Sequence, residues 1–164
     1  LRSYALVLLA IERDRTLPLK TPIEAVVLAS IIEKETSLPQ ERPKISGVFI
    51  NRLRLGMPLQ SDPTVVYGVT QGKQPLGRPL KLQELRDKDN LYNTYRHLGL
   101  PPGPIANPGK DSLRAALSPL ETTALYFVAD GQGGHNFAET LAEHNKNVKL
   151  WRKHRKQELD CGAC

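Results

Sequence analysis

Cysteine and histidine are scarce in this chain, and their positions argue against a metal or redox centre. Of the 164 residues, only Cys161 and Cys164 are cysteine, and both lie at the extreme C-terminus. A redox pair of this spacing needs a helix N-terminus to lower a thiol pKa, and a zinc site needs two further ligands. The four histidines are dispersed through the second half of the chain. We therefore predict no metal and no cofactor, and expect residues 161–164 to form a disordered tail.

Long apolar runs and several short catalytic motifs are also missing. No stretch approaches the roughly 18 consecutive apolar residues of a membrane-spanning helix. The absence of G-x-S-x-G, H-E-x-x-H and a Walker-type glycine loop argues against the corresponding serine hydrolases, zinc proteases and nucleotide hydrolases. The chain begins at Leu1, inside a helical pattern over residues 2–12 and without a signal-peptide pattern. We interpret it as a piece of a longer protein, with any membrane anchor outside this piece.

Basic residues exceed acidic ones by 23 to 17, and the excess is local. A local excess of positive charge favours an anionic partner, such as nucleic acid, lipid headgroups or an anionic cell-wall polymer. The alternative is that these residues simply form a solvated basic face of a helix. Aromatic residues are only 5% of the chain, and Trp151 is the one aromatic within the basic run. This scarcity argues against nucleic acid as the partner. The basic run (residues 146–156) contains Lys146, Lys149, Arg152, Lys153, Arg155 and Lys156.

The clearest local signal is the start of a helix at residue 21. Thr21, Pro22 and Glu24 have the types expected at the N-cap, the first helical position and the capping-box position. The helix that they open, as far as Thr36, is apolar on nearly its whole circumference, so we expect it to be buried.

The remaining pattern predicts an α+β fold in one domain, residues 1–160. Between residues 57 and 109, prolines and glycines recur every few residues, which predicts an ordered, irregular wall packed on the helices. Its two longer pieces cover residues 80–86 and 91–98. The other predicted elements are helices at about 40–55 (ended by Gly56), 111–117 and 139–158, and an antiparallel hairpin with strands at 125–129 and 135–138.

Two glutamates near the end of the first predicted helix are candidates for acid–base chemistry. Residues three, four and seven positions apart share a helix face. Glu35 therefore shares a face with Leu28, Ile31 and Ile32, whereas Glu33 shares one with smaller, partly polar residues. Aliphatic surroundings disfavour the charged carboxylate and raise its pKa, as a general acid requires. The spacing favours Glu35; the alternative is that both glutamates lie at an exposed helix end.

Polar side chains elsewhere could bind a substrate such as a sugar. Asp62 is more simply explained as an N-cap or turn residue than as a catalytic one. A strand histidine such as His135 is more often a hydrogen-bonded structural residue. The candidates for substrate binding are Gln60, Asp62, Asn93, Tyr95 and His135.

Several longer segments, in order, resemble the YceG-like endolytic murein transglycosylases. The likeness covers about residues 21–150, and several motifs in register are far more specific than one short pattern. The segments are 27–36, 48–53, 59–65, 92–95, 99–105 and 126–130, followed by Gly133, Gly134, His135 and Phe137.

The resemblance implies an enzyme with a lysozyme-like helical core that cuts peptidoglycan glycan strands internally. The cut would fall between N-acetylmuramic acid and N-acetylglucosamine and leave a 1,6-anhydro end. The resemblance places the catalytic glutamate in the segment 33–35, and we assign it to Glu35. Gln60, Asp62, Asn93 and Tyr95 are then expected to line the groove.

The resemblance also implies a location and partners. Family members carry a membrane helix and a LysM-like domain before the catalytic part, and this chain lacks both. The catalytic domain would face outward from the cytoplasmic membrane, with glycan strands as substrate and cell-wall synthases as candidate partners.

Three other functions remain open from the sequence. One is a glycan-binding module without activity. Another is a two-carboxylate muramidase, with Glu35 as the acid and Asp62 as its partner. The third is a nucleic-acid binder that works through the basic run.

Overall fold

The computed structural model describes residues 17–161, with side chains described as far as Arg155. The predicted helix at residues 2–12 and the tail residues 162–164 lie outside this range. The predicted α+β class is confirmed, because the described residues form six helices and one two-stranded antiparallel sheet. The elements are α1 (Pro22–Glu35), α2 (Arg42–Arg54), α3 (Asp62–Thr70), α4 (Leu82–Arg86), α5 (Lys110–Leu117), β1 (Tyr126–Ala129), β2 (His135–Ala138) and α6 (Leu141–Cys161).

Helix α1 is the centre of the core, as its apolar circumference predicted. Thr21 is its N-cap and accepts a hydrogen bond from the Glu24 backbone N–H at 3.4 Å. The Glu24 carboxylate accepts from the backbone N–H of Lys20, one residue before the position that a capping box would use. The helix packs against α2, α3 and α5. The largest buried side chains of the core are Leu28, Ile31, Ile32, Ile45, Phe49, Ile50 and Leu59.

Helix α2 ends where Gly56 was predicted to end it. Gly56 has φ 64°, and the N–H groups of Gly56 and Met57 donate to the carbonyls of Leu53 and Arg52, which is a Schellman motif. Carbonyls of the last turn of the helix therefore have hydrogen-bond partners, and the chain changes direction after Gly56.

One face of α2 holds the segment that leads into β1. A Cβ added to Gly47 would lie 2.3 Å from the carbonyl oxygen of Leu120, so the two backbones touch. The Asn51 amide donates to the carbonyls of Thr122 (2.7 Å) and Ala124 (3.2 Å). These contacts fix the position of the hairpin relative to α2.

The irregular wall at residues 57–109 contains a helix that the sequence pattern did not predict. Helix α3 begins at Asp62 and its N-cap is Ser61, so Asp62 is the first helical residue and the prediction of an N-cap or turn residue is wrong. A β-branched run and Gly68 obscured this helix, because such residues have low helix propensity. Its C-cap, Gln71, has φ 53° and ends the helix in the left-handed region.

The hairpin and α6 complete the fold. Strands β1 and β2 pair in an antiparallel register that sets Ala129 opposite His135. The Asp130 carboxylate accepts from the backbone N–H groups of Gln132 and Gly134 and so closes the glycine turn. Helix α6 packs against both strands. None of the helices within residues 17–161 is both long and apolar enough to cross a membrane.

Candidate active site

A cleft of about 440 Å³ lies where the end of α1, the start of α3, strand β1 and helix α6 meet. Its lining residues come from these four elements, from Arg52 of α2 and His135 of β2, and from the loops that carry Leu59, Gln60 and Tyr95. Five of the six residues that the sequence singled out line it together: Glu35, Gln60, Asp62, Tyr95 and His135. Asn93 is the exception.

Glu35 is the last residue of α1 and is half-buried in this cleft. Its Oε1 accepts a hydrogen bond from the Ser61 hydroxyl at 2.5 Å. Burial raises the pKa of Glu35 to about 7, and the nearby charge of Asp62 acts in the same direction. The Ser61 hydrogen bond and the Arg52 charge lower this pKa but only in part. The carboxyl group is therefore about half protonated near neutral pH, as a general acid requires.

Ser61 is held in place by a local feature of α3. It is the N-cap of this helix, yet its hydroxyl makes no capping bond within the described residues and is directed to Glu35 instead. Its carbonyl accepts from the N–H and the hydroxyl of Thr64, and its own N–H donates to the Thr94 hydroxyl at 3.0 Å. The backbone of Ser61 is thus fixed on both sides.

Arg52 joins α2 to the walls of the cleft. Its Nε donates to the carbonyl of Leu125 at 2.6 Å, and its Nη1 donates to the carbonyls of Pro58 (3.1 Å) and Leu59 (3.0 Å). The same Nη1 donates to Oε1 of Gln60 at 3.3 Å. One buried guanidinium group therefore connects three segments around Glu35.

Gln60 has a backbone conformation that side chains rarely adopt. Its φ is 53°, in the left-handed region. Such strain persists only where the surroundings enforce it, and here its N–H donates to the Thr94 carbonyl at 3.1 Å while Arg52 holds its side chain. This turn brings the following residue, Ser61, to Glu35.

Tyr95 and Asp62 form a hydrogen-bonded pair in the cleft. The Tyr95 hydroxyl donates to Oδ1 of Asp62 at 2.6 Å. Burial, and then this hydrogen bond, raise the pKa of Tyr95, so its hydroxyl stays protonated and remains a donor. Asp62 itself is exposed.

Asn93 does not line the cleft, in contrast to our expectation. It is fully buried, and its Nδ2 donates to the carbonyls of Glu84, Leu85 and Asp87. Its Oδ1 accepts from the backbone N–H of Tyr95 at 3.0 Å. Because the amide is committed to the backbone, Asn93 positions Tyr95 and has no surface to offer a substrate.

His135 lies in the cleft wall and also has a structural partner. Its Nδ1 is 2.7 Å from Oε2 of Glu41, and its backbone N–H donates to Oε1 of the same carboxylate at 2.9 Å. Its ring meets Phe127 edge to face, with centroids 5.5 Å apart. The start of β2 is thereby tied to the N-cap residue of α2.

Glu33, the other candidate glutamate, has a different environment. Its carboxylate accepts from the Ser112 hydroxyl (2.7 Å) and the Gly109 N–H (2.9 Å) and pairs with Arg42 at 3.3 Å. The Ser112 hydrogen bond, followed by the Gly109 hydrogen bond, lowers the pKa of Glu33. Glu33 is not among the residues that line the cleft around Glu35. It is an ionised group that connects α1, α2 and the start of α5.

Several residues of the cleft were not recognised as site residues in the sequence. Ser61 lies between the candidates Gln60 and Asp62, and its residue type alone indicates no role. Arg52 falls on the same helical stripe as Ile45 and Phe49, and a charge in such apolar company is a signal of a functional group. Tyr126, His144 and Trp151 also line the cleft; their spacing along the chain gave no sign that β1 and α6 meet there. Within residues 17–161, no group of three or more His, Cys, Asp or Glu side chains could hold a metal ion.

Comparison with known proteins agrees with this architecture. Residues 3–150 match the model of the YceG-like family. The chain is 46% identical over 121 residues to the endolytic murein transglycosylase of Bacillus subtilis (strain 168), an alignment that covers 74% of this chain and 32% of that protein. Identity to the endolytic murein transglycosylase of Streptococcus pneumoniae (strain D39) is 38% over 130 residues, covering 76% of this chain and 23% of that protein.

A solved structure has the same fold. A crystal structure of a YceG-like protein from Listeria monocytogenes superposes with a TM-score of 0.76 at 37% identity, over 88% of this chain and 44% of that one. The chain spans a third or less of the length of the two transglycosylases that it matches. On the family match and these identities, the chain belongs to the YceG-like family.

Proposed function

We propose that this chain is the catalytic part of a peptidoglycan lytic transglycosylase that cuts glycan strands internally. The observation that carries the proposal is Glu35, a half-buried carboxyl group in a cleft, with a hydroxyl donor at 2.5 Å and a pKa of about 7. The names of the two bacterial relatives, endolytic murein transglycosylases, support the same activity and murein as the substrate.

In the proposed reaction Glu35 carries out both proton transfers, one to the glycosidic oxygen and one from the C6 hydroxyl of the substrate. As an acid it donates its proton to the glycosidic oxygen, and the bond from that oxygen to C1 of N-acetylmuramic acid breaks, which releases the 4-hydroxyl of N-acetylglucosamine. The C6 hydroxyl of the same muramic acid then attacks C1, and the Glu35 carboxylate accepts its proton. The product is a 1,6-anhydro ring. No cofactor and no second carboxylate are required, because the nucleophile belongs to the substrate and its proximity favours it over water.

The surrounding residues have supporting roles in this proposal. The Ser61 hydroxyl orients the Glu35 carboxyl group, and the nearby charge of Arg52 limits the rise of its pKa. Gln60, the Asp62–Tyr95 pair and His135 line the cleft and supply the polar groups that would orient sugar hydroxyl and acetamido groups. Asn93 contributes by positioning Tyr95.

The location follows from the proposed substrate. We expect the enzyme to work in the cell envelope, on the outer face of the cytoplasmic membrane, and to be anchored by a segment outside this chain. Cell-wall synthases that make the strands are the proposed protein partners.

The deciding experiment is mass spectrometry of peptidoglycan digests. The anhydro product is lighter than a hydrolysis product by one water, and Glu35→Gln should lower its formation by about 10²–10⁴-fold while the fold is retained. Glu33→Gln is the matched control and should retain activity. An active Glu35→Gln variant, or ordinary reducing ends from the parent chain, would reject the proposal.

A two-carboxylate muramidase is the second candidate, and one observation favours it. Asp62 lines the same cleft, and its charge raises the pKa of Glu35. A hydrolase would use Asp62 as nucleophile or base and would release a free reducing sugar.

Glycan binding without turnover, in the full-length protein, would instead indicate a binding module.

A further inference from the structure

One stripe of α6 forms a wall of the cleft. Leu141, His144, Val148 and Trp151 recur three or four residues apart and line the same cleft as Glu35. Residues at this spacing share a helix face. Because α6 packs against both strands of the hairpin, this face is held at a fixed place beside the cleft.

Trp151 is the last member of this stripe and the single tryptophan of the chain. It is half-buried, and the guanidinium group of Arg155 lies over its ring at 5.4 Å from the centroid. No aromatic ring among the described side chains stacks on that indole. The family match ends at residue 150, so Trp151 is the first residue beyond it.

Tyr126, another aromatic residue that lines the cleft, has more protein partners. Its ring stacks on His144 with centroids 5.2 Å apart and planes at 24°, and the guanidinium group of Arg52 lies 5.1 Å from its centroid. The ring of Tyr126 is therefore in contact with two protein groups. The half-buried indole of Trp151, in contrast, leaves apolar surface exposed at the edge of a polar cleft.

We propose that Trp151 forms a pyranose-binding subsite at the α6 end of the cleft, in which a sugar ring of the glycan strand stacks on the indole. This inference rests on the proposed function. One face of a pyranose carries C–H groups, whose weakly positive hydrogens fit the negative face of an aromatic ring, and tryptophan has the largest such face. An enzyme that cuts within a polymer gains from binding sugars away from the reacting bond, because contacts made equally in the ground and transition states lower KM and keep the strand in the cleft.

Binding can be measured apart from turnover in the Glu35→Gln chain, with peptide-free glycan strands as the probe. Since Trp151 is the only tryptophan, emission excited selectively in tryptophan and not in the five tyrosines reports on this position alone, and we expect a saturable change in it. In calorimetry, Trp151→Ala should weaken binding about tenfold, and Trp151→Phe should weaken it less. Leu150→Ala is the matched control, because Leu150 is the exposed neighbour on the same helix and does not line the cleft.

Turnover supplies a second readout. In the active chain, Trp151→Ala should raise KM about tenfold and leave kcat nearly unchanged, as expected for a residue that binds sugar in the ground and transition states alike. A residue with a merely structural role would lower the thermal midpoint and kcat together, and Trp151→Phe would then behave like Trp151→Ala.

Three results would overturn the inference: constant emission at saturating glycan, equal affinity with and without Trp151, or a response to anionic phospholipid vesicles but not to glycan. The last would assign the basic run and Trp151 to a lipid surface. None of these results touches the proposed function, which is rejected by an active Glu35→Gln variant or by ordinary reducing ends in the products of the parent chain.

Discussion

The protonation of Glu35 depends on a few neighbours that act in opposite directions. Burial and the Asp62 charge raise its pKa, while the Ser61 hydroxyl and the Arg52 guanidinium lower it. The resulting value of about 7 leaves both forms populated at neutral pH. This suits a group that first donates a proton and then accepts one, because neither form is strongly disfavoured.

Two substitutions should move the pH profile in opposite directions. In the proposed reaction only protonated Glu35 starts the cut, so kcat/KM should fall as pH rises through about 7. Ser61→Ala removes a bond that stabilises the carboxylate and should shift this fall to higher pH. Asp62→Asn removes a repelling charge and should shift it to lower pH. The measurement is initial rate against pH on peptide-free glycan, and shifts of the same sign would contradict the account.

At the scale of elements, α2 supports the hairpin through contacts that follow each other along one face. The backbone touches Leu120 at Gly47, and Asn51 and Arg52 donate to carbonyls of the segment before β1. Because β1 lines the cleft, the position of this wall depends on how closely α2 approaches residues 120–125.

Gly47→Ala should therefore destabilise the protein, although alanine is the better helix former by about 1 kcal/mol. The new Cβ would lie 2.3 Å from a carbonyl oxygen, and such overpacking costs about 1–3 kcal/mol. Denaturant unfolding measures the change. Ser46→Ala is the control, because the buried Ser46 hydroxyl has no hydrogen-bond partner among the described residues, and its removal should be neutral or stabilising.

Glu33 connects three helices, and Glu33→Gln should lower stability by about 1–3 kcal/mol at neutral pH. The pKa of Glu33 is lowered in the folded state, so its contribution is present above the unfolded value of 4.5 and is lost as pH falls through the folded value. The difference between parent and variant should therefore shrink in acid. Glu121→Gln, the same substitution at an exposed position, is the control, and a difference that stayed constant with pH would contradict this role.

For the molecule as a whole, the group proposed for catalysis opposes stability. The pKa of Glu35 is higher in the folded state, about 7 against 4.5. The folded protein therefore binds more protons in this window, and stability declines as pH rises through it. The buried apolar residues of α1 supply the stability that offsets this loss, while Glu35 at the end of the helix is only partly shielded from water.

Glu35→Gln should thus be more stable than the parent chain at alkaline pH. The shift from 4.5 to about 7 corresponds to about 3 kcal/mol above pH 7, and the difference should vanish toward pH 4.5. Denaturant unfolding at pH 4.5, 6 and 8 measures it. A variant that is less stable than the parent at pH 8 would show that the carboxylate form is favoured by the fold.

The sequence by itself determined the features that depend on neighbours along the chain. Thr21 and Pro22 mark the start of α1, Gly56 marks the end of α2, and the glycine turn after β1 defines the hairpin. The aliphatic face next to Glu35 also follows from helix spacing, which is why Glu35 could be preferred over Glu33.

Only the tertiary structure decided how the cleft is assembled. Ser61 reaches Glu35 across 26 residues of chain, and Ser112 reaches Glu33 across 79. It also decided that Asn93 is buried, with its amide oxygen bonded to the backbone of Tyr95, and that α6 contributes Trp151 to the cleft. The physical reason is that helix and turn signals act over a few residues, whereas a hydrogen bond between distant segments forms only once packing has brought its donor and acceptor together.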